Sequence, residues 1–488
     1  MATGGSARHS INGQVDGKSC TFFLEEDSRQ LSWIEGGDQS LRKCRSTETV
    51  TRPTADDETQ IAQQTEGKNT IPSKNIICVL PSERLASNTD GCRLLYVIDN
   101  PASSNGDSKA SPVILQSAIL GCSQSSLKSF PQSAGDVHIP DHVVVSTGSG
   151  TGLAQNVWKD LVKPTLDALG ISGYQLHLTQ SESSVTELAQ DVLLPRANEG
   201  KNQTVMLLSG DGGILDVVNS LLSGERSEAY RKPSVAVLPL GTGNALANSS
   251  GIAADNTYGL RSWIGGSLKE LPLFAATFSN EARFLVDEAR QERPLHVENG
   301  LPIAHGAVVC SWGLHAALVA DSDTQEYRKF GAERFKMAAK EALFPSDGSP
   351  PHAYKGDVSI LRAGQSEWEV VRHGEHGYVL ATPVSQLEKG FTISPSSKPL
   401  EDKLSLVHFG PVSGEAAMEI MTKAYQGGQH VQDERVGYDE INGLRIEFHE
   451  DDGRWRRICI DGKIVRVERG GWVEVQAGQK GVLDLIVP

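Results

Sequence analysis

Three glycine-rich turns, each directly behind a short run of β-branched and other apolar residues, constrain this chain more than any other feature. His142-Val143-Val144-Val145 leads into Ser146-Thr147-Gly148-Ser149-Gly150-Thr151-Gly152. Thr204 to Leu208 (TVMLL) leads into Ser209-Gly210-Asp211-Gly212-Gly213, and Val235 to Leu238 (VAVL) into Pro239-Leu240-Gly241-Thr242-Gly243-Asn244. Between these runs, residues 153–169, 185–194 and 214–222 carry apolar side chains at helical spacing, and 175–178 is short and extended. Such alternation predicts parallel strands joined by right-handed crossovers, with ligands at the carboxyl ends of the strands. Each turn alone has a plain reading as a tight turn or helix cap, and Asp211 alone reads equally well as the cap of the helix behind it. Glycine also lets a backbone approach a phosphate, and a helix start offers free N–H groups. Three such turns in one α/β unit point to a phosphate-binding cleft, with Asp211 held between glycines at its mouth.

The flanking segments differ. Residues 1–135 hold short β-like runs at 21–24, 75–80 (NIICVL), 94–98 (LLYVI) and 113–120, which predict a small β module. Within it, 45–74 is rich in Thr, Gln, Asp and Glu and is expected to be disordered, having too little apolar surface to offset its ordering entropy. Residues 136–270 form the α/β unit. From 271 to 488 the runs are mainly extended (307–310, 357–361, 377–381, 404–409, 444–448, 457–460, 483–487), with helices expected near 327–343 and 415–425. The expected fold class is therefore α/β plus all-β, the second part an antiparallel β-sandwich.

Composition limits the partners. With 46 Lys and Arg against 61 Asp and Glu, the net charge is −15, which argues against nucleic-acid binding. Seven scattered cysteines without a CxxC spacing read as reduced thiols without a zinc site. The longest stretch without a charged residue, 299–320, contains Pro302, His305, His315 and three glycines and predicts a strand and turn rather than a membrane span. The amino-terminal residues lack a signal-peptide core, so a cytoplasmic protein is expected. His373 and His376 flank Glu375 in an RHGEHG segment expected to be an exposed turn, and Arg454-Trp455-Arg456-Arg457 reads as a solvated hairpin strand or a contact to anionic headgroups.

The order SGDG, VVNSLL, PLGTGNALA resembles the catalytic region of the diacylglycerol kinase and sphingosine kinase superfamily. Four segments are most similar to sphingosine (sphingoid long-chain base) kinases: SGDGGILDVVNSL from Ser209, SWG from Ser311, DSDTQEYRKFGAERF from Asp321 and IDGK from Ile460. The resemblance spans roughly 141–488 and implies a phosphofructokinase-like nucleotide domain followed by a lipid-binding domain, with ATP and Mg²⁺ as cofactors. It implies Asp211 as general base for a lipid hydroxyl, with Ser209, Gly210 and Gly212 beside the substrate and Asp321 on its polar head. Nucleotide contacts are implied for Ser146, Gly148, Gly150, Thr179, Ser183, Asp216, Gly241, Thr242, Gly243, Asn244, Arg328, Arg334, Asp461 and Gly462. No metal-ligand set is assigned. An apolar cavity opening near Asp321 and Asp211 is expected, as are peripheral contact with intracellular or plasma membranes and room for a homodimer.

Residue by residue, some of these positions also read plainly. Arg328 and Arg334, with Lys329, Lys336 and Lys340, fit a solvated basic helix, and six residues apart on an ideal helix they diverge by roughly 120°. Asp321 alone reads as a helix-start acid. The sequence also departs from the family pattern. Ser146-Thr147 stands where Asn-Pro is usual, Asp216 where Glu is usual, and Lys463 where Asp-Gly-Glu has its Glu. The expected activity is phosphorylation of the primary hydroxyl of a sphingoid base. A diacylglycerol or ceramide kinase is the alternative, and a catalytically weak lipid-binding regulator the alternative of another class.

Overall fold

The computed structural model describes residues 8–25, 30–35, 69–82, 91–104, 109–132, 137–148, 150, 152–331, 333–372 and 374–488. Three large sheets and one two-stranded ribbon, Gln386–Glu388 with Phe391–Thr392, organise them.

The runs that alternate with helices build a six-stranded sheet in the order Ser267–Glu270, Asp484–Val487, Ser234–Pro239, Thr204–Ser209, His142–Val145, Gln175–Leu178. The inner strands are parallel and buried on both faces, which is why they read as unbroken Val and Leu runs. The expected helix over 153–169 forms as Ala154–Val157, a wider π segment Trp158–Val162, and Lys163–Ala168. A second helix repeats the device, with Ala189–Leu193 as its π segment. Each π segment ends just before a proline, Pro164 or Pro195, whose missing N–H and bulky ring a regular turn does not accommodate. One strand of this sheet comes from far along the chain. Residues 484–487, expected in the second unit, pair in parallel with Ser234–Pro239 and antiparallel with Ser267–Glu270.

The amino-terminal runs make a seven-stranded antiparallel sheet. One face holds its own core, with Phe22, Leu31, Ile76, Val79 and Leu94. The other face, with Ile77, Leu95, Val97 and Val113, packs on Val143, Trp158 and Leu161 of the α/β unit. Of the segment expected to be disordered, 45–68 lies outside the described residues. Its end does not fit that expectation: Asn69–Ile71 is a strand paired with Gln30–Glu35, Ile71 lying opposite Leu31 and buried.

The third sheet has fifteen strands, and its paired path runs from Gln291–Pro294 at one end to His296–Glu298 at the other. Only Leu295 separates these two end strands in sequence, so the sheet curls until its edges nearly meet. The expected sandwich is thus almost closed into a barrel, and Phe274, Phe278, Trp312, Phe448 and Val473 fill it. Two local expectations give way here. Of the run 307–310, residues 307–309 are a loop between Leu301–Gly306 and Cys310–Gly313. The uncharged stretch continues into an unforeseen helix, Leu314–Ser322, so Asp321 lies at a helix end rather than a start. The expected helix over 327–343 is broken into Gln325–Arg328 and Glu333–Leu343, with Gly331 at φ +55° between them. Among the described residues no helix is long and apolar enough to cross a membrane.

Candidate active site

The register of the parallel strands sets the carboxyl ends side by side, Val145 beside both Leu208 and Leu178, and Leu208 beside Leu238. The turns that follow therefore meet. Ser146 N–H donates to Leu208 O (3.0 Å) and Leu240 N–H to Ser209 O (3.1 Å). Thr147, where the family has proline, donates its own N–H to Thr179 Oγ1 (2.9 Å) and its hydroxyl to Thr179 O (2.8 Å). Proline could make neither bond. Ser183 lies on the neighbouring turn and donates to Glu187 Oε1 (2.6 Å).

Several glycines serve this loop-on-loop contact. A Cβ on Gly241 would lie 2.5 Å from Gly210 Cα, one on Gly210 2.7 Å from Gly241 Cα, and one on Gly150 2.3 Å from Leu240 O. Gly243 is pressed in the same way against Leu387 O (2.9 Å). Gly148 and Gly212 differ, because a Cβ there would meet nothing within 4 Å. Gly212 also belongs to the first turn of the Asp211–Ser223 helix. Open space beside a helix start fits the phosphates of a nucleotide. Asn244 takes a left-handed conformation (φ +53°), its side chain accepting from Gly241 N–H (2.8 Å) and donating to Gly241 O (2.9 Å), which closes the turn around Thr242.

Asp211 ties two of these turns together. Its Oδ2 accepts from Ala245 N–H (2.8 Å) and its Oδ1 from Leu246 N–H (3.0 Å), the first amides of the Ala245–Ser249 helix. So Asp211 does cap a helix, but the one behind the third turn rather than its own. Burial raises its pKa, against the pull of those amides.

Asp461 faces it from the other side. It begins the two-residue Asp461-Gly462 turn (φ +51° and +89°) between strands Arg457–Ile460 and Lys463–Arg466, the left-handed pair that an Asp-Gly hairpin turn requires. Its carboxylate accepts from the N–H groups of Ala307 (2.6 Å), Val308 (2.9 Å) and Val309 (2.5 Å). Those amides are spent on Asp461 instead of a ladder, which is why 307–309 is a loop. Burial pushes Asp461 up to about 7, the three amides oppose this, and the charge of Asp211 adds to the rise. The α/β unit and the barrel thus each contribute one carboxylate to a shared low-dielectric region.

Beside them lies a cleft of about 360 Å³ whose lining includes Asp216, Asn219, His305, Asp461 and Lys463, but neither Asp211 nor Asp321. Asn219 and His305 bond across it, and Lys463 Nζ donates to Asp216 Oδ1 at 2.7 Å. The cleft mixes these polar groups with apolar ones such as Leu215, Phe284 and Ile303, and it does not open at Asp211 and Asp321, where the sequence predicts an apolar cavity. A divalent cation held by protein groups alone does not fit. No three His, Cys, Asp or Glu side chains cluster for one among the described residues, and Asp216 is already paired with an ammonium.

Asp321 stands apart from this group. Its Oδ1 accepts from Arg457 Nη1 (2.8 Å) and its Oδ2 from Arg454 Nη2 (3.0 Å). Burial alone would raise its pKa, but Arg457 and then Arg454 outweigh it and hold the carboxyl below its ordinary value. Arg457 and Asp461 occupy opposite ends of one strand, about 13 Å apart at strand spacing. The RWRR segment is therefore not a solvated strand: Arg456 is buried as well, donating to the carbonyls of Val467, Glu450 and Asp451. Arg334 pairs with Asp323 at 3.3 Å, and Arg328 lies on the short preceding helix. His376 is buried and bonded to Gly356 O (3.0 Å), not exposed, and His373 lies outside the described residues. Neither the amides around Asp461 nor the arginines around Asp321 were visible in the sequence, because each partner lies more than a hundred residues away.

The family model for the diacylglycerol kinase catalytic domain matches residues 141–276. Human sphingosine kinase 1 is 26% identical over 354 residues, covering 66% of this chain and 85% of that protein. Sphingosine kinase B of Dictyostelium discoideum is 34% identical over 110 residues, 22% of this chain and 14% of its own length, and human sphingosine kinase 2 is 33% identical over 233 residues, 45% and 30%. Among solved structures, a diacylglycerol kinase from Bacillus anthracis str. Sterne aligns with a TM-score of 0.43 at 14% identity over 72% of this chain and 97% of that one, too loose a likeness to carry weight. The catalytic-domain match covers all three glycine-rich turns and Asp211, and the alignment to human sphingosine kinase 1 extends well beyond it. Residues 141–276 thus match the diacylglycerol kinase catalytic domain, and the chain is similar over a larger part of its length to sphingosine kinases.

Proposed function

We propose that this protein is a lipid kinase that transfers a phosphoryl group from ATP to the primary hydroxyl of a long-chain lipid, with Asp211 as general base. The observation that carries this reading is the placement of Asp211. It is fixed by two amides at the meeting point of the three turns, its pKa is raised by burial, and it lies next to open space at Gly212. Each of its oxygens keeps a second lone pair, so the carboxylate can still accept a hydroxyl proton while holding the third turn. ATP would supply the phosphoryl group, and Gly148 and Gly212, which have open space beside them, are the residues that would border its phosphates. No step is assigned to Mg²⁺. Phosphoryl transfer depends mainly on alignment and charge neutralisation, and the turns supply the alignment.

The names of the relatives suggest a sphingoid base as acceptor, and that is the first substrate to test. A second reading, an acceptor without an amine such as diacylglycerol or ceramide, is favoured by Asp321, whose two oxygens are already held by Arg457 and Arg454. The test is radiolabelled phosphate transfer from Mg-ATP to sphingosine, phytosphingosine, ceramide and diacylglycerol in micelles. Asp211→Asn should lower the rate at least about a hundredfold, as loss of a general base does. Unchanged transfer by that variant would remove Asp211 from the reaction. No transfer to any of the four lipids would leave a lipid-binding relative of the kinases.

A further inference from the structure

Two thiols of the amino-terminal sheet lie in contact. Cys92 stands at the start of the strand Gly91–Asp99 and is fully buried, whereas Cys122 follows the strand Val113–Leu120 and keeps some contact with solvent. Cys92 is opposite Leu120 in the ladder, so Cys122, two residues on, lies diagonally across from it on the same face, and both pack on the core of this sheet. Their sulfurs are 3.7 Å apart. A disulfide sets its sulfurs about 2 Å apart, so bond formation needs only a small approach, and both cysteines are at strand ends where pairing stops and side chains can turn.

The two thiols differ in character. With Cys92 as donor, the hydrogen bond between them favours a thiolate on Cys122 and lowers its pKa, although burial opposes this. The same contact, joined by burial, raises Cys92. Solvent therefore reaches the more acidic thiol, and its buried neighbour is held in reserve as the second partner. The other cysteines among the described residues, Cys20, Cys78, Cys310 and Cys459, are buried, and burial raises each of them. Oxidants attack thiolates that solvent reaches, and a thiol next to the oxidised one completes the bridge.

We propose that Cys92 and Cys122 form a hydroperoxide-responsive dithiol site whose disulfide staples the amino-terminal sheet. The Cys122 thiolate attacks one oxygen of the hydroperoxide, the O–O bond breaks, and the other oxygen leaves as an alcohol, or as water from hydrogen peroxide, after taking up the proton that Cys122 had released. This makes a sulfenic acid. The sulfur of Cys92 then attacks that of Cys122, the S–O bond breaks, and hydroxide leaves with the Cys92 proton as water. Two thiols are oxidised by two electrons in all, and one hydroperoxide is reduced. The new bond closes the open end of the hairpin, next to the seam where Leu120 meets Gly13 and Gly121 N–H donates to Asn12 O (2.7 Å). The same hairpin covers the α/β unit through Leu95, Val97 and Val113. The site is independent of the kinase reading.

The experiment uses the full chain carrying Cys44→Ser, because Cys44 lies outside the described residues. The reduced protein is treated with hydrogen peroxide, its free thiols are counted, and its unreduced peptides are mapped by mass spectrometry. Two thiols per chain should disappear, with one cross-linked peptide joining Cys92 to Cys122 that dithiothreitol reverses. Cys122→Ser should slow the loss of thiols about tenfold or more, since the remaining thiols are buried and less acidic. Cys92→Ala should leave a sulfenic acid at Cys122 that dimedone captures. The oxidised chain should also melt at a higher temperature than the reduced one, a shift absent from Cys92→Ala. The original pair can be tested without either variant, so a variant that fails to fold does not protect the proposal. No cross-link, a cross-link between other cysteines, equally fast oxidation of a folded Cys122→Ser chain, or an oxidised chain that melts no later than the reduced one would overturn it.

Discussion

At Asp461 a left-handed backbone, three amide donors and a neighbouring carboxylate meet on one side chain, and its titration should be visible in the stability of the whole protein. Its pKa is pushed up to about 7 in the fold. The folded protein therefore keeps a proton that the unfolded chain releases at ordinary carboxylate values, so stability falls as pH rises through that window. The thermal midpoint should decline between about pH 4 and about pH 7, and Asp461→Asn should flatten the decline. A second residue-scale test concerns Gly241. Alanine there would place a methyl 2.5 Å from Gly210 Cα and 2.9 Å from Asn244 Oδ1. The variant should lose about 1–3 kcal/mol in urea denaturation, the usual range for overpacking. The glycines themselves were legible in the sequence, since nothing else is as permissive. Which of them face a ligand and which face another loop was not, because that depends on the register of strands distant from one another in the chain.

The elements that follow local rules were the legible ones. The strands at 204–208 and 235–238 and the helices near 214–222 and 415–425 appear where period and composition place them. Those whose backbone groups are claimed from elsewhere were not, such as the loop at 307–309 that spends its amides on Asp461. The helix carrying Asp321 was missed for a related reason: apolar on nearly all sides, it shows no helical stripe. Between elements, the Lys463 to Asp216 bridge joins a barrel hairpin to the helix that starts at Asp211. Both partners retain solvent contact, 45% and 23%, so Lys463→Ala should cost less than about 1 kcal/mol of stability. Its charge matters more than its stability. Lys463→Glu would place a third carboxylate beside Asp216 and Asp461. Manganese paramagnetic resonance without nucleotide should then detect a saturable site in the variant and none in the original protein. Equal binding by both would mean that the lysine does not exclude cations from the cleft.

At the scale of the molecule, the class of architecture could be read from the sequence, but the way its parts interlock could not. The amino-terminal sheet looked like a separate module of unreadable purpose, yet one of its faces covers Val143, Trp158 and Leu161 of the α/β unit. A chain beginning at residue 137 should expose that surface, bind a hydrophobic dye and aggregate. A soluble, fully active chain of that length would contradict the packing. The other interlock is the strand at 484–487, seated between Ser234–Pro239 and Ser267–Glu270. During synthesis, the sheet that presents Asp211 has an open slot until a segment made far later arrives to fill it. Two strand edges stay bare through that interval, inviting wrong pairings and reliance on chaperones. The reward is an assembly check: the fold that carries the candidate site is complete only once the barrel between the two parts of its sheet has been made.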